Sequence, residues 1–190
     1  RSHSFPLPSS QTCQTFKQRM NSPEAKKTLL AVVGTRPELI KMAPVIEAFQ
    51  QDPEFDLKVC LTGQHTDLIE SVQAVFPIKA DENLALMTEN QKLWSFGGKL
   101  LVALGEVIEK HKPQGVLAQG DTTTTFIAAL AAFYCGVPFF HVEAGLRTHN
   151  LYNPYPEEAN RVLAGRLASL HFAPTEKKKK NLYSEGIAEN

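Results

Sequence analysis

The chain has 190 residues, and its 20 lysines and arginines are balanced by 20 aspartates and glutamates. That length suits one ordinary domain with a real core; the charge balance gives no global field that would favour nucleic acid, and no apolar run is long enough to cross a bilayer. Cys13, Cys60 and Cys135 are odd in number and far apart, form no CxxC pair or metal-ligand spacing, and fit a reducing compartment such as the cytoplasm.

Residues 1–27 are rich in Ser, Pro, Gln, Thr and Lys and show no periodicity, so they are expected to form a disordered leader ahead of a single domain over residues 28–190. Thr28 to Val33 is a continuous apolar run ending at Gly34, the pattern of a strand buried on both faces. Pro37 then suits the first turn of a helix reaching Gln51, with Leu39, Ile40, Ala43, Ile46 and Phe49 as its apolar face and Pro44 expected to kink or split it. Leu57 to Leu61 predicts a second strand, followed by Gln64 and His65. Asp67 to Phe76 predicts a second helix, and Pro77 to Asn90 a connection with weak signals.

Gln91 to His111 carries Leu93, Phe96, Leu100, Leu101, Leu104, Val107 and Ile108 at helical spacing, with Gly97-Gly98 as a local weakness. Gly115 to Gln119 is a short apolar strand. Gly120-Asp121 makes a tight turn, and the threonines at 122–125 open an Ala-rich helix to Cys135. The hydroxyls and free N–H groups of that first turn make an anion-friendly surface, and a carboxylate beside it suggests chemistry on a phosphorylated substrate. The plainer reading is that Asp121 or Thr122 caps the helix. Phe139 to Val142 predicts a strand ending at Glu143. A helix runs from Pro156 to Ala168, Leu170 to Ala173 forms a short strand, and a last helix spans Glu176 to Glu185. Its run of lysines, 177–180, reads as a solvated face.

Strands alternating with helices imply an α/β fold with a parallel sheet and helices on both faces. Ligands bind such sheets outside the carboxyl ends of the strands. Arg36, Gln64 and His65, Asp121, and Glu143 each follow a different strand, so four polar clusters converge on one edge. There is no GxGxxG, no Walker A loop and no GxSxG elbow, which disfavours redox cofactors, ATP hydrolysis and serine hydrolysis. Carboxylates can act as acid and base, and cations can neutralise phosphates; Arg36, Lys41, Asp121, Glu143, Arg147, Glu157, Glu158 and Arg161 are the candidates. Glu157 and Arg161 are spaced for a helical salt bridge, with Glu158 pointing elsewhere as a bystander. Lys41 alone reads as an exposed helix lysine, and His65 and His141 as hydrogen-bonding or packing residues.

The blocks Gly34-Thr35-Arg36-Pro37-Glu38 with Lys41-Met42-Ala43-Pro44, Gly120-Asp121-Thr122-Thr123-Thr124, His141-Val142-Glu143-Ala144-Gly145-Leu146-Arg147 and Pro156-Glu157-Glu158-Ala159-Asn160-Arg161 resemble, in order, those of the bacterial non-hydrolysing UDP-N-acetylglucosamine 2-epimerases. The resemblance runs from about Thr28 to the end of the chain. It implies the Rossmann-like N-terminal domain of a glycosyltransferase-B-like architecture. The implied activity interconverts UDP-N-acetylglucosamine and UDP-N-acetylmannosamine at C2 by elimination and re-addition of UDP. Arg36 and Lys41 then fall at substrate-binding positions. Asp121, Glu143 and Glu157 fall at the acids of proton transfer, the first two also touching substrate.

The resemblance further implies no metal or other cofactor, a homodimer in the full-length protein, and activation by UDP-N-acetylglucosamine near Gln64 and His65. Asp67 stands where many members have Gln or Glu. The family's second domain, which supplies a catalytic histidine and most UDP contacts, would follow Asn190, so the 190 residues alone are expected to be an inactive half. The alternatives are a non-catalytic binding domain and a hydrolysing epimerase that releases free N-acetylmannosamine.

Overall fold

The computed structural model describes residues 26–63, 78–86, 88 and 90–188. The predicted helix at 67–76, the allosteric candidates Gln64 and His65, and all but the last two residues of the expected leader lie outside them. Among the described residues the elements are β1 (Lys27–Val33), α1 (Arg36–Gln51), β2 (Phe55–Leu61), β3 (Glu82–Asn83), α2 (Leu93–His111), β4 (Gly115–Gln119), α3 (Thr123–Tyr134), β5 (Phe139–Val142), α4 (Glu157–Leu167), β6 (Leu170–Phe172) and α5 (Glu176–Ser184). No helix among the described residues is long and apolar enough to cross a membrane.

The strands form one sheet in the order β3-β2-β1-β4-β5-β6, every pair parallel. Both faces are covered, which is why β1 and β4 read as unbroken apolar runs. The two-residue side-chain period sorts β1 cleanly. Leu29, Ala31 and Val33 face α1, where Leu39, Met42, Ala43 and Ile46 complete one core. Leu30 and Val32 face the other way, onto Phe96, Leu100 and Leu104 of α2 and the alanine-rich flank of α3. Each fully buried Leu, Ile or Val contributes about 1.5–3 kcal/mol of hydrophobic transfer.

Several local expectations change. α1 is a single helix through Pro44; that residue is exposed, on the same outer side as Ile40. A missing internal hydrogen bond there can be replaced by water. Ile40 is half exposed, and Met42 takes the core position instead. α2 likewise survives Gly97-Gly98: Gly97 is buried beside Ile127 of α3, where a Cβ would make only ordinary contact at 3.5 Å, and Gly98 is exposed. Thr122 is the N-cap of α3, its hydroxyl accepting from the Thr125 N–H at 3.2 Å. That bears out the plainer reading of the threonine run.

The chain moves outward from β1 to β2 and β3 on one side, then begins again at β4 and moves outward to β5 and β6 on the other. The switch therefore lies between β1 and β4, where connections depart in opposite directions and leave a crevice beyond the strand ends.

Candidate functional site

Gly34 closes β1 at this crevice. A Cβ there would lie 2.4 Å from the Thr124 hydroxyl oxygen, so only glycine lets the start of α3 sit against the end of β1. Glu38 ties the two together. One of its oxygens accepts the backbone N–H groups of Gly34 at 2.6 Å and Thr35 at 2.8 Å, and the other accepts the Thr122 hydroxyl. Burial pushes this carboxyl up, and the donors only partly counter it. Glu38 was not among the candidates read from the sequence, although the Thr35-x-x-Glu38 spacing is a capping-box signal that could have found it.

Asp121 follows β4 and is half-buried. Burial pushes its carboxyl up, and the neighbouring charges of Glu157 and Glu143 add to this against Arg161 and Lys41. Its Oδ2 lies 3.3 Å from Nη1 of Arg161, and its carbonyl accepts from the Asn160 side chain at 3.0 Å. Arg161 is buried and does not pair with Glu157. Its Nε sits 2.8 Å from Oε2 of Glu158, a close ion pair whose N–H is not aimed at that oxygen. Glu158 is fully buried, and its Oε1 accepts the backbone N–H groups of Thr148 and His149, both at 2.9 Å. Glu158 is thus no bystander: α4 turns its 158/161 face inward and leaves Glu157 half-buried at its first turn.

His141 on β5 braces the Asp121 turn from below. Its Nε2 is 2.7 Å from the Gly120 carbonyl, which can only accept, so Nε2 carries the proton. Burial drags its pKa down to about 4, and the ring is neutral at physiological pH.

Glu143 follows β5 in the left-handed backbone region, with φ of 61°, a conformation costing about 1–3 kcal/mol for a non-glycine residue. Its Oε2 accepts from Lys41 at 2.7 Å and from the Gln119 amide; its Oε1 accepts from Lys178 at 3.3 Å. Burial alone would raise this carboxyl, but the hydrogen bonds and charges of Lys41 and Lys178 outweigh it and hold Glu143 below the usual carboxylate range. Two lysines read as solvent-facing therefore meet on one carboxylate, and Lys178 was missed because a run of four lysines carries no signal of which one turns inward.

The other candidates divide. Arg36 is exposed at the first turn of α1, beside the crevice. Glu157 lines a cleft of about 280 Å³ with Thr35, Thr122, Thr123, Thr124 and Asn160. Glu143 and Lys41 line another, of about 420 Å³, with Gln119, Phe172 and Pro174. Asp121 feels the charge of both Glu157 and Glu143. Arg147 is structural: its guanidinium makes a two-pronged contact with Glu185, at 2.6 and 2.9 Å. No group of three or more His, Cys, Asp or Glu side chains among the described residues is arranged to hold a metal ion.

The profile of the UDP-N-acetylglucosamine 2-epimerase family matches residues 47–190. The UDP-N-acetylglucosamine 2-epimerase of Neisseria meningitidis is 53% identical over 159 residues, covering 84% of this chain and 43% of that protein. The one from Yersinia pestis is 49% identical over 162 residues, covering 85% and 43%. The crystal structure of the Neisseria meningitidis enzyme bound to UDP-GlcNAc superimposes with a TM-score of 0.81 at 52% identity, covering 85% of this chain and 43% of that one. The Methanocaldococcus jannaschii enzyme in complex with UDP-GlcNAc and UDP gives 0.77 at 37% identity, covering 86% and 44%. Acinetobacter baumannii MurG, 13% identical with a TM-score of 0.52, shares the Rossmann-like fold alone. The chain spans less than half the length of the curated relatives it matches, and it belongs to the UDP-N-acetylglucosamine 2-epimerase family.

Proposed function

We propose that these residues form the N-terminal domain, over 28–190, of an enzyme that interconverts UDP-N-acetylglucosamine and UDP-N-acetylmannosamine at C2. The reading is carried by one observation: Asp121, Glu143 and Lys41 meet at the carboxyl edge of a family-typical sheet, with Glu157 and Arg36 beside them. The C2 proton is weakly acidic, so its removal must be helped by departure of UDP from C1. The C2–H pair becomes the C1–C2 double bond of a 2-acetamidoglucal as the C1–O bond breaks. UDP then adds back to C1 while a proton reaches the opposite face of C2.

This chemistry needs one group that holds a proton and one that lacks it. The surroundings push the Asp121 carboxyl up and the Glu143 carboxyl down, which is how acid and base roles are separated within one site. Arg36 and Lys41, with the free N–H groups opening α3, offer positive potential to the departing diphosphate. We assign the UDP-sugar as substrate, the activity to a polypeptide that also carries a second domain, and a homodimer to that longer protein. A second UDP-N-acetylglucosamine acting as activator near Gln64 and His65 belongs to the same proposal, as does a reducing, cytoplasmic setting for thiols such as buried Cys60.

The test is separation of products by anion exchange after incubation of the extended protein with UDP-N-acetylglucosamine. UDP-N-acetylmannosamine is expected. Free N-acetylmannosamine with UDP would instead indicate a hydrolysing enzyme, and an unchanged substrate would contradict the proposal.

A further inference from the structure

Lys178, in the lysine run on α5, turns inward onto Glu143. α5 is fastened to the turn after β5 at three points. Gly145 has φ of 89°, and a Cβ there would lie 2.3 Å from the Lys178 carbonyl oxygen, so the helix backbone rests directly on the turn. Asn181 donates its side-chain amide to the Gly145 carbonyl at 2.9 Å. Arg147, leaving the turn, grips Glu185 at the far end of the helix. This docking leaves the Lys178 side chain largely buried and directs its ammonium to Glu143 Oε1, while Lys41 reaches Oε2 from α1. Lys177 and Lys180, on the same helix, stay exposed.

We propose that Lys178 is a positioning residue for Glu143: with Lys41 it clamps the two carboxylate oxygens from opposite sides and so fixes the aim of the carboxylate into the crevice. The clamp makes the turn that carries Glu143 depend on α5, an element remote in sequence, and it explains how a residue held in the left-handed backbone region keeps one side-chain direction. It also keeps Glu143 ionised, as a base must be before it takes a proton. The charged and titratable groups around Glu143 are Lys41 from α1, Lys178 from α5, Asp121 after β4 and His141 on β5. Of these, Lys178 and Lys41 contact the carboxylate directly. The role as positioning residue rests on Glu143 serving the proposed epimerisation; the clamp itself does not.

The test therefore has two readouts. In the 190-residue chain, the side-chain carboxyl of Glu143 is titrated by carbon NMR in the wild type and in Lys178→Met, Lys178→Arg and Lys180→Met. The midpoint is expected to rise in Lys178→Met, to stay near the wild-type position in Lys178→Arg, and not to move in Lys180→Met. An unchanged midpoint in a folded Lys178→Met chain overturns the inference. In the extended protein with UDP-N-acetylglucosamine, Lys178→Met is expected to lower kcat about tenfold or more, with KM little changed, to shift the acid limb of the kcat profile upward, and to be rescued by Lys178→Arg. A kcat and pH profile equal to the wild type overturns the positioning role. If the wild type itself shows no epimerisation, the functional proposal fails while the titration still decides the clamp.

Discussion

Asp121 and Glu143 end adjacent parallel strands, joined by the Gly120 N–H bonding to the Val142 carbonyl at 3.0 Å. Their carboxyl pKa values are displaced in opposite directions by what surrounds them, and the proposed epimerisation uses both as proton-transfer groups. Asp121→Asn and Glu143→Gln in the extended protein are each expected to lower kcat for UDP-N-acetylglucosamine by about a hundredfold or more, measured by product formation. Wild-type rates in either variant would contradict the assignment. Glu38 governs stability instead. Its folded pKa is raised, so it binds its proton more tightly in the folded chain. The stabilising contribution is fully present below the unfolded value, about 4.3, and is lost as pH rises through the folded pKa. Glu38→Gln can keep an acceptor for the two N–H groups without the charge. The stability of wild type relative to Glu38→Gln, measured by urea melts, should therefore fall as pH rises above about 4; a pH-independent difference would count against it. Glu38→Ala leaves the Gly34 and Thr35 donors unpaired and should cost about 3 kcal/mol.

At the scale of elements, the legible parts were those whose cause is local. β1, β2, β4 and β5 announce themselves because burial demands short apolar runs and turn residues end them. β3, only two residues at Glu82–Asn83, has no periodicity and exists by pairing with Cys60 and Leu61. Helix faces were read less well. Ile40 fits the spacing of the α1 core, yet Met42 occupies it, because tertiary packing sets the rotation of the helix. Helical spacing equally suggested Glu157 with Arg161, whereas the inward face of α4 pairs Arg161 with Glu158 and Asp121. Lys178 could not be told from its neighbours, since its partner lies 35 residues away. The docking of α5 on the Glu143 turn makes its own prediction. Gly145→Ala adds both left-handed strain and a collision with the Lys178 carbonyl, and should cost about 3 kcal/mol. Gly186→Ala has φ of 78° with open space around it, and should cost only about 1 kcal/mol. Equal losses in denaturant melts would show that the Gly145 contact does not hold.

For the molecule as a whole, the four motif blocks come together at one sheet edge, because a parallel sheet must put every strand's end on the same side. The motifs could not reveal that the edge splits into a Glu157 cleft and a Glu143 cleft on either side of the Asp121 turn. Under the proposed function, the diphosphate of the substrate is assigned to Arg36, Lys41 and the opening of α3 on this side. The 190-residue chain is accordingly expected to epimerise UDP-N-acetylglucosamine at least a hundredfold more slowly than the protein extended through a second domain, because losing the opposing contacts removes transition-state binding. Comparable rates by the same product assay would contradict this. The most direct test of the central claim, proton removal at C2 by acids of this sheet edge, is proton NMR of UDP-N-acetylglucosamine with the extended protein in deuterium oxide. The account predicts that UDP-N-acetylmannosamine appears with deuterium at C2 and that Glu143→Gln suppresses this exchange; product that keeps its C2 proton, or no product at all, would contradict it.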